Sequence, residues 1–241
     1  MLIDAHSHLH DSRFEGNQSD LIAKMKNSRI SHSIVNGTET ADWPAVAQLA
    51  KDYPRFVWPS FGLHPWKVQN RAKDWEARLR EFLLRFPKSG VGECGLDRWI
   101  RDHNIEDQQT VFRIQLQLAT EMNRPCTIHC LKAWGPLLEV LNAETQLPRI
   151  LLHSFGGSIE TANEMAELGA WFSFSGYFLH PRKSKVVDVF RQLPKDRILV
   201  ETDAPDMLPP ETDRPYSDRE SINHPANLAH ISSRLCKLVG V

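Results

Sequence analysis

The sequence has little or nothing of several features that mark specialised classes of protein. No stretch approaches the roughly 18 consecutive apolar residues of a membrane helix, so we expect no membrane association. The first residues, MLIDAH, lack the basic and then apolar order of a signal peptide. Only four residues are cysteine, and none forms a CxxC pair. This usage does not indicate a disulfide framework, and it predicts a protein of the reducing cytoplasm.

An excess of charge of one sign is missing as well. Lys and Arg number 29 against 30 Asp and Glu, which leaves a formal net charge of −1 at pH 7. This balance argues against a surface that binds phosphate over its whole extent, so any contact with nucleic acid requires a local basic patch. With 41% hydrophobic and 24% charged residues, the composition is typical of a globular protein with a large core.

A glycine-rich turn after the first apolar run is also absent. That run leads into His6-Ser7-His8 instead, and GxxxxGK[ST] does not occur anywhere in the sequence. An open, doubly wound sheet that binds a nucleotide cofactor would need such a turn after its first strand. The absence favours a closed arrangement of strands over that competitor.

Short apolar runs alternate with longer segments of helical period along the chain, which predicts parallel βα units. The clearest helix is expected over 105–122, and another over 159–168 is ended by Gly169. Eight such units in 241 residues predict a single (β/α)8 TIM-type barrel, one α/β domain over residues 1–241. The predicted strands cover 2–4, 31–36, 56–61, 90–93, 127–129, 150–153, 171–173 and 198–201.

Side chains able to bind metal follow these strands at their C-terminal ends. In a barrel those ends meet on one face, which is where active sites are built. His6 and His8 lie two apart in an extended segment and therefore point the same way. Glu93 and Asp203 each end an apolar strand, where an ionised carboxylate is costly unless it is paired or binds a metal. The predicted metal ligands are His6, His8, Glu93, His129, His153 and Asp203.

A reaction class follows from these residue types. Histidine and carboxylate ligands suit zinc, manganese, iron or nickel better than magnesium. Magnesium stays among the candidate metals for the site. Glu93, a carboxylate able to bridge, predicts two divalent ions that activate a shared water for hydrolysis. Asp203 would orient that water and accept its proton, so Glu93 and Asp203 are the predicted catalytic residues. We expect the first ion at His6, His8, Glu93 and Asp203, and the second at Glu93, His129 and His153.

Three other side chains at this face have two interpretations each. His64, in the segment GLHP, either orients the substrate or begins an ordinary turn. Trp66 and Trp99 follow the third and fourth strands, where they either stack on a ring of the substrate or pack at the rim.

The segments HSH, GLHP, GECGLD, IHC, HSFGG and ETDAP, taken in order, resemble the TatD family of metal-dependent deoxyribonucleases, within the amidohydrolase-like barrel hydrolases. The resemblance runs from His6 to Asn227, and 223–227 is similar to the late Asn-x-Pro segment of the family. It implies a barrel with a divalent-metal centre at the six positions above and hydrolysis of phosphodiester bonds. Family members characterised as nucleases trim single-stranded DNA, and sometimes RNA, as exonucleases.

Two departures from the family pattern bear on the substrate. After GLD the family usually carries two aromatic residues and a basic one, whereas the order here is Arg98-Trp99-Ile100. Leu131 stands where an arginine is common, and Lys132 follows it. Both changes fall where a substrate phosphate is expected, and Arg98 and Lys132 either compensate or are ordinary rim charges. The predicted substrate-binding residues are His64, Arg98, Trp99 and Lys132.

The leading prediction is a cytoplasmic nuclease, a 3′→5′ exonuclease on single-stranded DNA with RNA as a further substrate. The alternative is hydrolysis of a small phosphoester, lactone or amide on the same barrel, which the altered residues at Arg98 and Leu131 favour. A binding scaffold with a vestigial site is a third interpretation, which the complete ligand set opposes. The expected partners are two divalent ions and either a DNA end or a small phosphoester, with no protein partner.

Overall fold

The computed structural model describes residues 2–217 and 221–240, and these form a barrel of eight parallel strands. Each strand pairs with the next one in chain order, and every pairing is parallel. The strands are β1 Leu2–Ser7, β2 Ile30–Asn36, β3 Val57–Phe61, β4 Gly90–Asp97, β5 Cys126–Leu131, β6 Ile150–Leu152, β7 Trp171–Ser175 and β8 Ile198–Glu201. The prediction of a (β/α)8 barrel is therefore confirmed.

One α-helix follows each strand in chain order. The helices are α1 Gln18–Asn27, α2 Trp43–Asp52, α3 Trp75–Arg85, α4 Ile105–Glu121, α5 Trp134–Ala143, α6 Ile159–Glu167, α7 Ser184–Gln192 and α8 Leu228–Val239. α4 begins because the Asn104 side chain accepts a hydrogen bond from the Asp107 amide, 3.0 Å away. Among the described residues, we find no helix with the length and apolar character needed to cross a bilayer.

The core lies between the strands and the surrounding helices. Bulky side chains such as Phe61, Phe112 and Phe172 are fully buried there. Each strand is covered by helices on its outer face and by other strands on its inner face, so β-branched and aromatic residues occupy both faces. The rigid scaffold that results fixes the position of every residue at the ends of the strands.

Hydrogen bonds between β1 and β8 close the barrel, and we call this junction the seam. The Asp203 amide donates to the carbonyl of His6 at 2.9 Å, and the His8 amide donates to the carbonyl of Ala204 at 2.8 Å. Deeper in the barrel, the fully buried Asp4 carboxylate accepts from the Thr202 amide at 2.9 Å and from its hydroxyl at 2.6 Å. The seam thus holds the backbones of three predicted metal ligands.

β1 and β4 are longer than the sequence predicts. The expected strands 2–4 and 90–93 are wrong in their ends, because β1 continues to Ser7 and β4 to Asp97. His6 and Glu93 therefore lie inside strands. Gly92 and Gly95 lie inside β4, where a Cβ at Gly95 would collide with the carbonyl oxygen of His129 on β5. Glycine is required there by the close approach of the neighbouring strand.

Replacing Asp4 by alanine is predicted to destabilise the fold by about 1–3 kcal/mol, because the buried amide and hydroxyl of Thr202 lose their acceptor. Urea denaturation followed by circular dichroism measures this loss. Asp4→Asn serves as the matched variant, since it keeps one oxygen for the Thr202 amide and should lose less. Equal stability of Asp4→Ala and the wild type would contradict the role assigned to this carboxylate.

Candidate metal centre

Glu93 lies at the centre of a cluster of histidines at the C-terminal ends of the strands. It projects from β4, only 3% of its surface is exposed, and its two oxygens face different sets of side chains. Burial raises the pKa of this carboxyl, but the histidines around it, His153 first among them, outweigh burial and hold the pKa well below its usual range. Glu93 is therefore an ionised carboxylate in a buried place.

The first set of side chains surrounds Oε2 of Glu93. His6 Nε2 lies 3.3 Å and His8 Nε2 3.4 Å from this oxygen. The same two nitrogens lie 3.4 and 3.3 Å from Oδ1 of Asp203, and only 3.1 Å from each other. Two ring nitrogens and two carboxylate oxygens therefore converge on a small volume between β1, β4 and the end of β8.

The second set surrounds Oε1 of Glu93. His153 Nε2 lies 2.8 Å, His129 Nδ1 3.2 Å and His64 Nε2 3.3 Å from this oxygen. His129 Nδ1 and His153 Nε2 are 3.3 Å apart. The six residues predicted as ligands are thus brought together, and His64 joins them as a seventh.

The ring tautomers of two histidines are fixed by their outer neighbours. His8 Nδ1 lies 2.8 Å from the carbonyl of Asn36, which only accepts, so Nδ1 carries a proton and the neutral ring turns the lone pair of Nε2 towards Glu93. His129 Nε2 lies 2.9 Å from the Asp97 carboxylate, so Nε2 carries a proton and the neutral ring turns the lone pair of Nδ1 towards Glu93. A metal ligand is a neutral imidazole, so both rings are oriented as a cation requires.

His64 has the opposite orientation. Its Nδ1 accepts a hydrogen bond from the backbone amide of Trp66 at 3.1 Å. Burial, the largest cause, lowers the pKa of His64 to about 4, so the ring is neutral near pH 7 and its proton sits on Nε2. This N–H faces Oε1 of Glu93, so His64 brings a hydrogen-bond donor to the cluster where His8 and His129 bring lone pairs.

Two fully buried carboxylates, Asp97 and Glu201, lie behind the histidines. Oδ2 of Asp97 accepts from His129 and, at 2.7 Å, from the indole of Trp66. Burial raises the pKa of Asp97, but these hydrogen bonds outweigh burial and lower it. Glu201 accepts from the hydroxyls of Ser154 and Ser173 and lies 3.6 Å from His153 Nδ1.

From the sequence alone, Asp97 is open between a partner behind the ligands and a loop-surface group, and Glu201 has no assigned role. Glu201 ends the apolar strand β8, which is the signal that selected Glu93, but the neighbouring Asp203 drew the assignment. Asp97 and Glu201, together with Glu93 and Asp203, place four carboxyl groups among the histidines. The donor set and this negative charge fit divalent cations.

The remaining predicted substrate residues lie on the rim, outside the cluster. Trp99 is 63% exposed, its amide donates to Asp97 Oδ1 at 2.6 Å, and the Lys132 ammonium sits 4.0 Å above its ring. Trp66 is 54% exposed and is tied to the same carboxylate by its indole N–H. The Arg98 side chain is exposed and forms no hydrogen bond or ion pair with any described residue.

Comparisons with known proteins show the family of the chain. A curated relative, the 3'-5' ssDNA/RNA exonuclease TatD of Edwardsiella piscicida, is 29% identical over 240 residues, which cover 98% of this chain and 91% of the relative. The uncharacterized metal-dependent hydrolase YabD of Bacillus subtilis is 27% identical, with 99% and 91% covered. The crystal structure of YJJV, a TatD homolog from Escherichia coli K12, superposes with a TM-score of 0.89 at 31% identity, with 98% and 90% covered. The family model of TatD related DNases matches residues 3–241, so the chain belongs to this family.

Proposed function

We propose that this chain is a divalent-metal-dependent nuclease that removes nucleotides from the 3′ end of single-stranded DNA, and also of RNA. The observation that carries the proposal is the placement of Glu93, whose two oxygens face two separate sets of ligand atoms. The substrate class is supported by the name of the relative from Edwardsiella piscicida. Residues 1–241 act as one hydrolase domain in this proposal, and its cytoplasmic location stays a prediction from cysteine usage.

Two ions fit the donor atoms, and His64 is left out of both sets. A metal ligand must offer a lone pair, which His8 and His129 do and His64 does not. Two such ions polarise a phosphoryl oxygen and lower the pKa of water towards about 7. The first ion would be held by His6, His8, Glu93 and Asp203, and the second by Glu93, His129 and His153.

The protein's own groups supply positioning and proton transfer. Asp203 is 8% exposed and is held by the seam, so its carboxylate is placed to accept the proton of the attacking water. His64 donates its Nε2 proton in a hydrogen bond to a phosphoryl oxygen that enters beside Glu93. Glu93 keeps the two sets of ligands at a fixed separation and shares its two oxygens between them.

The rim residues bind the terminal nucleotide. The face of Trp99 that Lys132 does not cover offers a surface on which a base stacks without sequence preference. Lys132 keeps its full charge because the indole is neutral, and the exposed Arg98 supplies a second cation on the same side. These residues give the local basic and aromatic patch that a chain of net charge −1 needs in order to bind nucleic acid.

Purified protein with Mn²⁺ or Mg²⁺ is predicted to shorten a 5′-labelled single-stranded oligonucleotide one nucleotide at a time, giving a ladder on a denaturing gel. Chelation with EDTA should stop the reaction. Glu93→Gln and His129→Ala should each lower kcat at least about 1000-fold, because they disturb the ligand sets. His32→Ala on the outer side of β2 is the matched control and should keep full activity.

A 3′-terminal phosphorothioate should block the ladder, whereas the same linkage at the 5′ end should not. No product from the wild type, or equal product from His129→Ala, would contradict the nuclease proposal. Turnover of small phosphoesters or lactones by a protein that leaves oligonucleotides intact would favour the alternative substrate class.

The carboxylate behind His129 is predicted to control metal affinity. Asp97→Asn weakens the hydrogen bond that fixes the ring, so the affinity for Mn²⁺ or Zn²⁺ should fall about 10–100-fold, measured by isothermal titration calorimetry. Asp102→Asn removes the same charge from an exposed position on the loop that follows β4 and should leave the affinity unchanged. A loss of equal size in both variants would assign the effect to general charge instead of to ring orientation.

The tautomer of His64 yields a prediction that separates metal binding from catalysis. His64→Gln should change divalent-metal affinity by less than about threefold, because the residue offers a proton and no lone pair. It should lower kcat on oligonucleotides by about 100-fold, the effect of removing one donor to a developing charge. His129→Gln is the comparison variant and should lose metal affinity. A comparable loss of affinity in His64→Gln would make His64 a ligand.

A further inference from the structure

The segment between β7 and α7 carries positive charge at the mouth of the barrel. It consists of two short helices, Gly176–Leu179 and Pro181–Lys183, that follow directly on the C-terminal end of β7. In a closed ring of eight strands, β7 lies opposite β3. The segment therefore faces the Trp66 side of the rim across the candidate metal centre.

Two cations of this segment are ordered against an aromatic ring. The Arg182 guanidinium lies 5.3 Å and the Lys183 ammonium 4.9 Å from the ring centroid of Tyr177. Arg182 also donates a hydrogen bond to the Tyr177 hydroxyl at 2.9 Å. A neutral ring positions a cation without cancelling its charge. We call Tyr177, Arg182 and Lys183 the β7 basic cluster.

The positive charge of this cluster is not paired with a carboxylate in the part of the chain that the structure describes. In the described residues, neither Arg182 nor Lys183 forms an ion pair with Asp or Glu. Many surface cations elsewhere are paired, for example Lys67 with Glu39 at 2.6 Å and Arg80 with Glu121 at 2.6 Å. Two adjacent cations that are ordered and unpaired attract an anion more strongly than cations that already have a carboxylate partner.

The backbone that carries the cluster is anchored to the loop after β8. His180 Nε2 donates to the carbonyl of Leu208 at 3.2 Å. Gly176 packs so closely against Pro209 and Ile231 that a Cβ would approach both to 2.7 Å. The cluster is thus held in a fixed place relative to Asp203, and little ordering is needed when a ligand binds.

A groove beside the β7 basic cluster contains a further cation, Lys185, which we do not count as part of the cluster. It has a volume of about 370 Å³ and lies between the N-terminus of α6 and α7, with Glu160 on one side and Lys185 on the other. Glu160 stays ionised, because the Ser158 side chain lowers its pKa. Lys185 therefore shares its surroundings with a negative charge, and we leave it out of the site.

We propose that the β7 basic cluster binds the phosphodiester backbone of the uncleaved part of a single-stranded nucleic acid. The strand would run from the Trp99 and Lys132 side of the rim, across the cluster of histidines, to Arg182 and Lys183. This inference rests on the proposed nuclease function and adds a second contact to it, remote from the scissile bond. Two cations on one ring match a polymer of phosphates better than a single small phosphoester.

The double variant Arg182→Gln/Lys183→Gln tests this contact by equilibrium binding. The probe is a fluorescein-labelled oligothymidylate with phosphorothioates at its 3′ end, so that the strand stays intact with Mn²⁺ present, and the readout is fluorescence anisotropy against salt concentration. Losing two phosphate contacts should lower the slope of log Kd against log salt by about 1.4 and weaken binding roughly 25-fold at about 0.1 M salt. The difference should shrink as the salt concentration rises.

Arg55→Gln/Lys88→Gln is the matched control, because both residues are exposed and lie on the loops before β3 and β4, at the opposite end of the barrel. It removes the same charge and should retain the wild-type slope. An unchanged slope in the β7 variant, with normal binding by the wild type, would overturn the contact and leave the nuclease proposal standing. Equal losses in the two double variants would also overturn it, in favour of net charge.

A wild type that neither binds nor cleaves the oligonucleotide would overturn the proposed function and this inference together. Circular dichroism of both double variants checks that they are folded, which is expected because the substituted side chains are exposed or partly exposed. The loss in kcat/KM should also grow with substrate length, since only longer strands reach from the rim to β7.

Discussion

A carboxylate buried at the mouth of the barrel is the constraint on which the rest of the site depends. Taking Glu93 out of water costs several kcal/mol unless partners compensate. The compensation comes at both oxygens at once. Histidines at the end of β1 face one oxygen, and a histidine of β5 with those that follow β3 and β6 faces the other. No local segment could provide this arrangement. It requires strands far apart in sequence to end at the same level, which a closed parallel barrel provides.

Groups behind the histidines fix which nitrogen of each ring carries a proton and which nitrogen faces the cluster. Asn36 and Asp97 accept hydrogen bonds from the outer nitrogens of His8 and His129, whereas the amide of Trp66 donates to His64 Nδ1 and turns the Nε2 proton of His64 inwards. Asp97 further joins the interior to the rim, because its Oδ2 holds His129 and Trp66 and its Oδ1 holds the amide of Trp99. The position of the rim aromatics therefore depends on the residue that orients a candidate ligand.

The barrel and the proximity of six residues could be predicted from the sequence. The position of a residue at the end of a strand is a local signal, and a closed barrel brings the ends of its strands together. The C-terminal end of β4 was predicted wrongly, since glycines such as Gly92 and Gly95 signal a break in a strand unless the approach of β5 is known. The tautomer of His64 depends on the geometry of a short turn, and the role of Glu201 depends on serines of two other strands. Contacts between distant elements leave no trace in a local pattern.

The seam has a thermodynamic consequence. β1 and β8 are the first and last strands of the barrel, and their junction carries His6 and His8 on one side and Asp203 on the other. A cation bound by these side chains would connect the two ends of the sheet. Metal binding and closure of the barrel would therefore be thermodynamically coupled. By linkage, free ion at a hundredfold excess over its Kd adds about 2.7 kcal/mol to the free energy of unfolding. The stability of the barrel would then depend on the concentration of free metal ion around it.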